Sequence, residues 1–210
     1  MKILLKPDYK ESEVMRFEYF KTDIEKNLAP NVKYNLLDVG CSQLDLHAVS
    51  TQVSVYGIDY KPTNAYDSMH FKLCDLNNSG IPFEDEMFDF VIAGEILEHV
   101  KRPFEFIEEL SRVLKKDGIL YLSTPNPYFY LEILKELFGI NVLDEAEHLN
   151  LFSRVHLLSY CKKQNLQLIE LKRFKFWIPY IRLMILSLHT PRLLNYQNIY
   201  KFKKIVTKIE

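Results

Sequence analysis

Two carboxylates and two imidazoles form the set best equipped for chemistry: Glu95, Glu98 and His99 close together, and His148 in the later run Ala146-Glu147-His148-Leu149-Asn150. On a helix, the 95/98 and 95/99 spacings bring the first three side chains to one face. His148 could approach that face from a loop. Oxygen and nitrogen donors without thiolates suit Mg, Mn, Fe, Co or Zn and do not select among them. A divalent ion lowers the pKa of a bound oxygen, taking water from about 15.7 to about 7 in favourable sites, and a vicinal diol could chelate it. Without a metal, Glu95 or His148 would serve as general base, an effect on the order of 100-fold to 10,000-fold. The structural alternative is a packed His99, a solvent-facing Glu98 and a His148 bonded to its own loop.

Such a cluster needs elements to hold it. Apolar runs at residues 34–39, 53–58, 71–73, 88–93 and 119–123 read as strands. A helix is expected over 103–115, with Pro103 in its first turn and Lys115, Lys116 and Gly118 at its end. Alternation of this kind implies an open parallel sheet with helices on both faces, because crossovers between parallel strands are right-handed. Residues 11–29 space Val14, Phe17, Phe20, Ile24 and Leu28 as an amphipathic helix flanking the sheet. Further along, a helix is expected over 128–138 and another over 154–163 capped by Ser153, with strands at 166–171 and 196–206 forming an antiparallel edge. The fold class is therefore α/β, a Rossmann-like open and mostly parallel sheet with an antiparallel C-terminal edge.

A length of 210 residues fits one domain over 1–210, with an N-terminal helical flank at 1–30 and a basic, aromatic segment at 171–210. With 48% hydrophobic and 26% charged residues, the composition is that of a globular chain rather than a disordered one or a membrane bundle. A formal net charge of -1 argues against a chain coated in nucleic acid. Residues 171–210 nonetheless hold nine basic side chains against one acid, either a solvated face or a contact with an anionic surface. Phe174-Lys175-Phe176-Trp177-Ile178-Pro179-Tyr180 mixes basic and aromatic groups, compatible with peripheral membrane contact, a dimer contact, a lid, or, ranked last, RNA stacking. Cys41, Cys74 and Cys161 have no metal-ligand spacing and cannot all pair within the chain, and the N-terminus lacks a signal-peptide core, so a reducing cytoplasm is expected. The oligomeric state is not readable from these features.

In an open parallel sheet, ligands sit beyond the carboxyl ends of the strands. The first strand ends Asp38-Val39-Gly40-Cys41-Ser42, where Gly40 permits a sharp turn and close backbone approach. The second ends at Asp59, 19 positions after Gly40, near the spacing at which a carboxylate accepts hydrogen bonds from ribose hydroxyls. The third ends at Cys74-Asp75, where a carboxylate could meet an adenine amino group. Neither a G-x-G-x-x-G dinucleotide fingerprint nor a Walker loop is present. A nucleoside without phosphates is the ligand these features describe.

Over residues 34–126 the chain resembles the class I S-adenosylmethionine-dependent methyltransferases. Asp38 and Gly40 match the start of the family's glycine motif, Asp59 its ribose-binding acid and Asp75 the acid near adenine. IPFEDEMFDFVIAGEILEHV and LKKDGILYLSTPNP are similar to its fourth and fifth strand regions. Ser42 and Leu44 stand where the second and third glycines are usual. The resemblance implies S-adenosylmethionine as cofactor, held by Asp38, Gly40, Cys41, Ser42, Asp59, Tyr60, Asp75 and Leu76. The pattern E-x-x-E-H with a distant His resembles metal-dependent small-RNA 2′-O-methyltransferases, and its E-x-x-E-H part also resembles quinone-biosynthesis O-methyltransferases. That likeness implies metal-ligand roles for Glu95, Glu98, His99 and His148, and O-methylation of a small-molecule, glycan or lipid-linked acceptor. The segment before Tyr196 and Gln197 is diffusely similar to bacterial glycan-pathway methyltransferases. The aromatic run Tyr128, Phe129 and Tyr130 could shape an acceptor pocket or simply pack. The rival expectation keeps the fold without cofactor binding, as a non-catalytic scaffold or partner subunit, and a second rival methylates nitrogen or carbon.

Overall fold

The computed structural model describes residues 9–41, 49–62, 70–139, 149–176 and 195–205. In chain order these form α1 (Tyr9–Lys26), β1 (Tyr34–Val39), β2 (Val53–Asp59), β3 (His70–Leu73), β4 (Phe88–Gly94), α2 (Pro103–Val113), β5 (Leu114–Pro125), α3 (Tyr130–Leu137), α4 (Arg154–Lys163), β6 (Leu166–Phe176) and β7 (Asn195–Lys204). The strands make one sheet in the order β3-β2-β1-β4-β5-β7-β6. β1 to β5 pair in parallel, and β7 runs antiparallel to both β5 and β6. The strand order reverses between β1 and β4, the point where such sheets open a crevice for ligands.

Each sheet face buries its own core, as a parallel sheet covered on both sides requires. Phe20 and Ile24 of α1 are fully buried with Leu36, Phe90, Ile92 and Tyr121 on one face. Phe106, Ile107 and Leu110 of α2 join Leu157 and Cys161 of α4 against Leu37, Val91, Leu120 and Phe202 on the other. Polar pins fix α1 in place: Tyr121 donates to Asp23 Oδ2 at 2.6 Å, Lys201 pairs with the same oxygen at 2.6 Å, and Tyr19 donates to Glu170 Oε2 at 2.9 Å. Burial holds both phenols well above the usual tyrosine range.

Several expected boundaries move. The helix expected over 103–115 ends at Val113, because Leu114 is completely buried and pairs with Phe88 as the first residue of β5. Lys115 then reaches Asp89 at 2.8 Å and Asp117 takes φ 62, so the basic residues read as a helix end are a strand entry. Sheet pairing outweighs local helix signals here. The N-terminal helix stops at Lys26 rather than 29, and Val14, expected on its buried face, is 59% exposed. α4 and its Ser153 cap match expectation, the hydroxyl accepting the His156 N–H. β6 continues beyond 171 to Phe176, whereas Trp177, Pro179 and Tyr180 lie outside the described residues. Among the described residues no helix is long and apolar enough to cross a membrane.

Candidate functional site

The carboxyl ends of β1, β2 and β4 converge at the reversal point. Gly40 adopts φ 79, a left-handed conformation that side chains strain against, and its N–H donates to Ile58 O at 2.8 Å. A Cβ at Gly40 would collide with the Ile96 side chain, whose Cγ1 would lie 2.8 Å away. Asp38 is 2% exposed, and its Oδ2 has no hydrogen-bond partner. Burial raises its pKa to about 7, with Arg16 pulling it down and Asp59 pushing it further up. Beside it Cys41 is buried, its thiol pushed up to about 12 by burial and then by Asp38 and Asp59, a setting for packing and not for nucleophilic attack.

Asp59 ends β2 and is buried; its Oδ1 accepts the Lys61 N–H at 2.9 Å, and its carbonyl accepts the Cys74 N–H at 2.8 Å. Gly40, Ile58, Asp59 and Cys74 are thus tied together through main-chain bonds. Tyr60 is exposed, with the Lys61 ammonium 4.7 Å above its ring. Asp75 is exposed and folds back on its own turn, accepting from Asn77 N at 2.9 Å and Asn78 Nδ2 at 2.6 Å. Leu76 is half-buried against the α2/α4 core. Ser42 and Leu44 lie outside the described residues.

Arg16 is the residue that sequence reasoning missed. It is 3% exposed, its Nε has no hydrogen-bond partner, and it lies close enough to Gly94 that a Cβ there would sit 3.4 Å from that nitrogen. The signal was present in α1: Arg16 occupies the apolar stripe continued by Phe20 and Ile24 at four-residue spacing, where a charge is expensive to bury without a purpose. The pins at Tyr19 and Asp23 hold it over the rim.

Glu95, Glu98 and His99 do not enter a helix, so the shared face that the 95/98 and 95/99 spacings would give on one does not arise. Glu95 takes φ 56, its N–H donates to both Ser123 O and Ser123 Oγ at 3.2 Å, and the Ser123 hydroxyl donates to Glu95 Oε1 at 2.8 Å. These bonds turn the chain out of β4, and a tight turn follows in which His99 N–H donates to Ile96 O at 2.9 Å. Glu98 is 1% exposed rather than solvent-facing. Its carbonyl accepts the Leu149 N–H at 2.8 Å, so the chain next to His148 meets this turn, while His148 itself lies outside the described residues. Among the described residues no three His, Cys, Asp or Glu side chains gather as a metal site. In the aromatic run, Phe129 is buried against Tyr196, with ring centroids 5.4 Å apart, whereas Tyr128 is 47% exposed.

The switch-point crevice thus carries an acid within the last residues of β1, Asp38, a turn glycine directly after that strand, Gly40, and an acid as the last residue of β2, Asp59. A family model described as a methyltransferase domain matches residues 13–171. The chain belongs to the class I S-adenosylmethionine-dependent methyltransferase family. It is 27% identical over 191 residues to the ubiquinone biosynthesis O-methyltransferase of Haemophilus ducreyi, covering 78% of this chain and 79% of that one. Against the enzyme of the same name from Actinobacillus pleuropneumoniae it is 27% identical over 154 residues, covering 68% of this chain but only 62% of the relative. The demethylmenaquinone methyltransferase of Geobacillus stearothermophilus is 28% identical over 144 residues, 57% of this chain and 62% of the relative. Among solved structures, a putative sarcosine dimethylglycine methyltransferase from Galdieria sulphuraria superposes with a TM-score of 0.64 at 14% identity, covering 94% of this chain and 88% of that one. That likeness carries the fold alone.

Proposed function

We propose that the chain transfers the methyl group of S-adenosylmethionine to an oxygen of a small-molecule, glycan or lipid-linked acceptor. The observation that supports this most is the pair of orphaned buried atoms, Arg16 Nε and Asp38 Oδ2, at the reversal point beside the Gly40 turn. A buried donor and a buried acceptor, each unpaired, are costly unless a ligand completes them. The amino and carboxylate groups of the methionyl moiety have the complementary chemistry. Arg16 would bind the carboxylate, Asp38 the ammonium, and Asp59 the ribose hydroxyls, while Asp75, whose two oxygens each accept one bond from Asn77 or Asn78, keeps a free lone pair on each for the adenine amino group.

When bound, S-adenosylmethionine supplies an electrophilic methyl on sulfonium and leaves as the thioether. Glu95, turned out of β4 in a strained conformation and oriented by Ser123, takes the proton from the acceptor hydroxyl as the oxygen forms its new bond to carbon. If a divalent ion takes part, Glu95, Glu98, His99 and His148 are the donors on offer. The free, buried Cys41, Cys74 and Cys161 suit a cytoplasmic setting for the whole chain as one catalytic unit. Calorimetric titration with S-adenosylmethionine tests the reading. Saturable binding, weakened tenfold or more by Asp59→Ala, is expected; silence at millimolar cofactor returns the chain to the scaffold alternative.

A further inference from the structure

One row of residues runs across three strands on the face that α1 covers. Tyr121 of β5 stands opposite Lys201 of β7, and Lys201 stands opposite Glu170 of β6. α1 grips this row at two successive turns. Asp23 offers a single oxygen, Oδ2, to the Tyr121 hydroxyl and the Lys201 ammonium, each at 2.6 Å, and Tyr19 donates to Glu170 Oε2 at 2.9 Å. Lys172 pairs with the other Glu170 oxygen at 3.5 Å, and its ammonium lies 4.0 Å from the centre of the Tyr19 ring.

Adhesion alone does not call for these charges. Phe20 and Ile24 already bury the apolar stripe of α1 completely. The Lys201 and Asp23 side chains, 11% and 17% exposed, are drawn largely out of water, and a buried ion pair gives little net stability over apolar packing. What such a pair can supply is register. A helix held by apolar contacts can slide or roll by part of a turn, whereas a carboxylate shared by donors on two adjacent strands is fixed along both directions.

Register matters at the far end of the helix. Arg16 precedes Asp23 by two turns on the same helix face, about 10 Å toward the rim. Ser123 lies two residues beyond Tyr121 on β5, about 7 Å toward the same rim. The two lines converge at Gly94, where a Cβ would sit 3.4 Å from Arg16 Nε and 3.7 Å from Ser123 Oγ. From one fixed point the row thus places both the guanidinium and the hydroxyl that orients Glu95.

We propose that Asp23, clamped by Tyr121 and Lys201, is a positioning residue that holds Arg16 in line with the methionyl carboxylate, and so sets the preference for a nucleoside carrying the full amino-acid tail over one without it. This role rests on Arg16 taking that carboxylate. A slide of α1 by a single residue moves the guanidinium about 1.5 Å, enough to break a paired contact with a carboxylate. Gly40 and Asp59, on the β1 and β2 side of the rim, are outside the row and keep their hold on the nucleoside.

Calorimetry on the full chain compares S-adenosylhomocysteine, which has the amino and carboxylate groups, with 5′-methylthioadenosine, which lacks both. Wild type is expected to bind the first at least tenfold more tightly. Asp23→Asn and Lys201→Met are each expected to cut that preference fivefold or more by weakening S-adenosylhomocysteine alone, with 5′-methylthioadenosine affinity within twofold of wild type. The two variants lie on α1 and β7, so misfolding of one leaves the other decisive, and Tyr121→Phe, which removes only the hydroxyl, serves if neither folds. An equal loss for both ligands, as loosened packing alone would give, or an unchanged preference in the folded variants, overturns the positioning role. Failure of the underlying reading shows in wild type, before any variant is made: equal affinity for the two ligands removes Arg16 from the carboxylate, and binding of neither removes the methyltransferase reading, each taking the role of Asp23 with it.

Discussion

At the ends of β1 and β2 the rim is made of main-chain turns and buried charge, whereas over β5, β7 and β6 it is made of side chains drawn from four separate segments. The first half joins Gly40, Ile58, Asp59 and Cys74 through backbone bonds and surrounds Asp38 with low-dielectric packing. The second half joins Asn126, Asn195 and Asn198 through carboxamides, with arginines contributed by α4 and β6. Bonds made by the backbone hold the same groups in place whatever the side chains, Gly40 excepted, and suit a ligand that never varies. A site built from exchangeable side chains can be retuned to another ligand without moving the fold. Glu95 and Ser123 stand where the halves meet.

The largest effect is expected at that junction. Glu95→Gln keeps the side-chain volume but removes the proton acceptor, so turnover is expected to fall on the order of 100-fold to 10,000-fold with cofactor affinity within a few-fold of wild type. If turnover persists, Glu95 serves only the turn at the end of β4, and the two halves lack the shared group. Chelator-treated enzyme separates the metal alternative: retained turnover supports Glu95 as base, whereas a loss restored by added divalent ions moves the role to the Glu/His set.

Next in size is the buried charge of Asp38. Its folded pKa of about 7 stands above the usual 3.8, so folding takes up a proton between those values and stability falls as pH rises through that window, levelling off above it. Asp38→Asn has no such proton. Relative to wild type, the variant is expected to gain on the order of 4 kcal/mol between pH 4 and pH 8, read by urea unfolding at both ends. Parallel profiles for the two proteins would mean that Arg16 fully compensates the carboxylate. Such a result would remove the electrostatic contrast between the halves.

The backbone half was the more legible in sequence, for a physical reason. Asp38, Gly40 and Asp59 sit at the ends of apolar runs whose register is set by burial on both faces, and β1 was expected at its observed bounds. The Ser153 cap was equally local. What escaped was set by distant partners: the Ser123 bonds that keep Glu95 to His99 out of a helix, the Phe88 pairing that draws Leu114 into β5, and the sheet rim that gives Arg16 a use. The arginines and asparagines of the second half meet only because β7 returns antiparallel, and nothing in the spacing of 126, 154, 173 and 195 encodes that.

Gly40→Ala sharpens the contrast from the backbone side. The alanine would hold a left-handed conformation and press against Ile96, a strain of roughly 1–2 kcal/mol from the dihedral alone. Relieving it shifts the turn, and S-adenosylmethionine affinity is expected to drop about tenfold to 100-fold by calorimetry. An affinity like that of wild type would mean that Ile96 simply moves aside and that the turn is less constrained than its geometry indicates.

The smallest expected effect tests independence from the other side. Ser153 Oγ accepts the His156 N–H at 3.3 Å at the start of α4, next to Arg154. Ser153→Ala leaves that donor to water and is expected to cost about 1 kcal/mol, measured as a lower urea midpoint with an unchanged slope. Since α4 places Leu157 and Cys161 in the core with Leu166, Tyr200 and Phe202, fraying should loosen the packing under β6 and β7 while leaving S-adenosylmethionine affinity, which depends on Arg16, Asp38 and Gly40, within a few-fold of wild type. Cofactor affinity that falls together with the urea midpoint would show that the halves communicate through the sheet. The acceptor end could then not be retuned without disturbing the cofactor end.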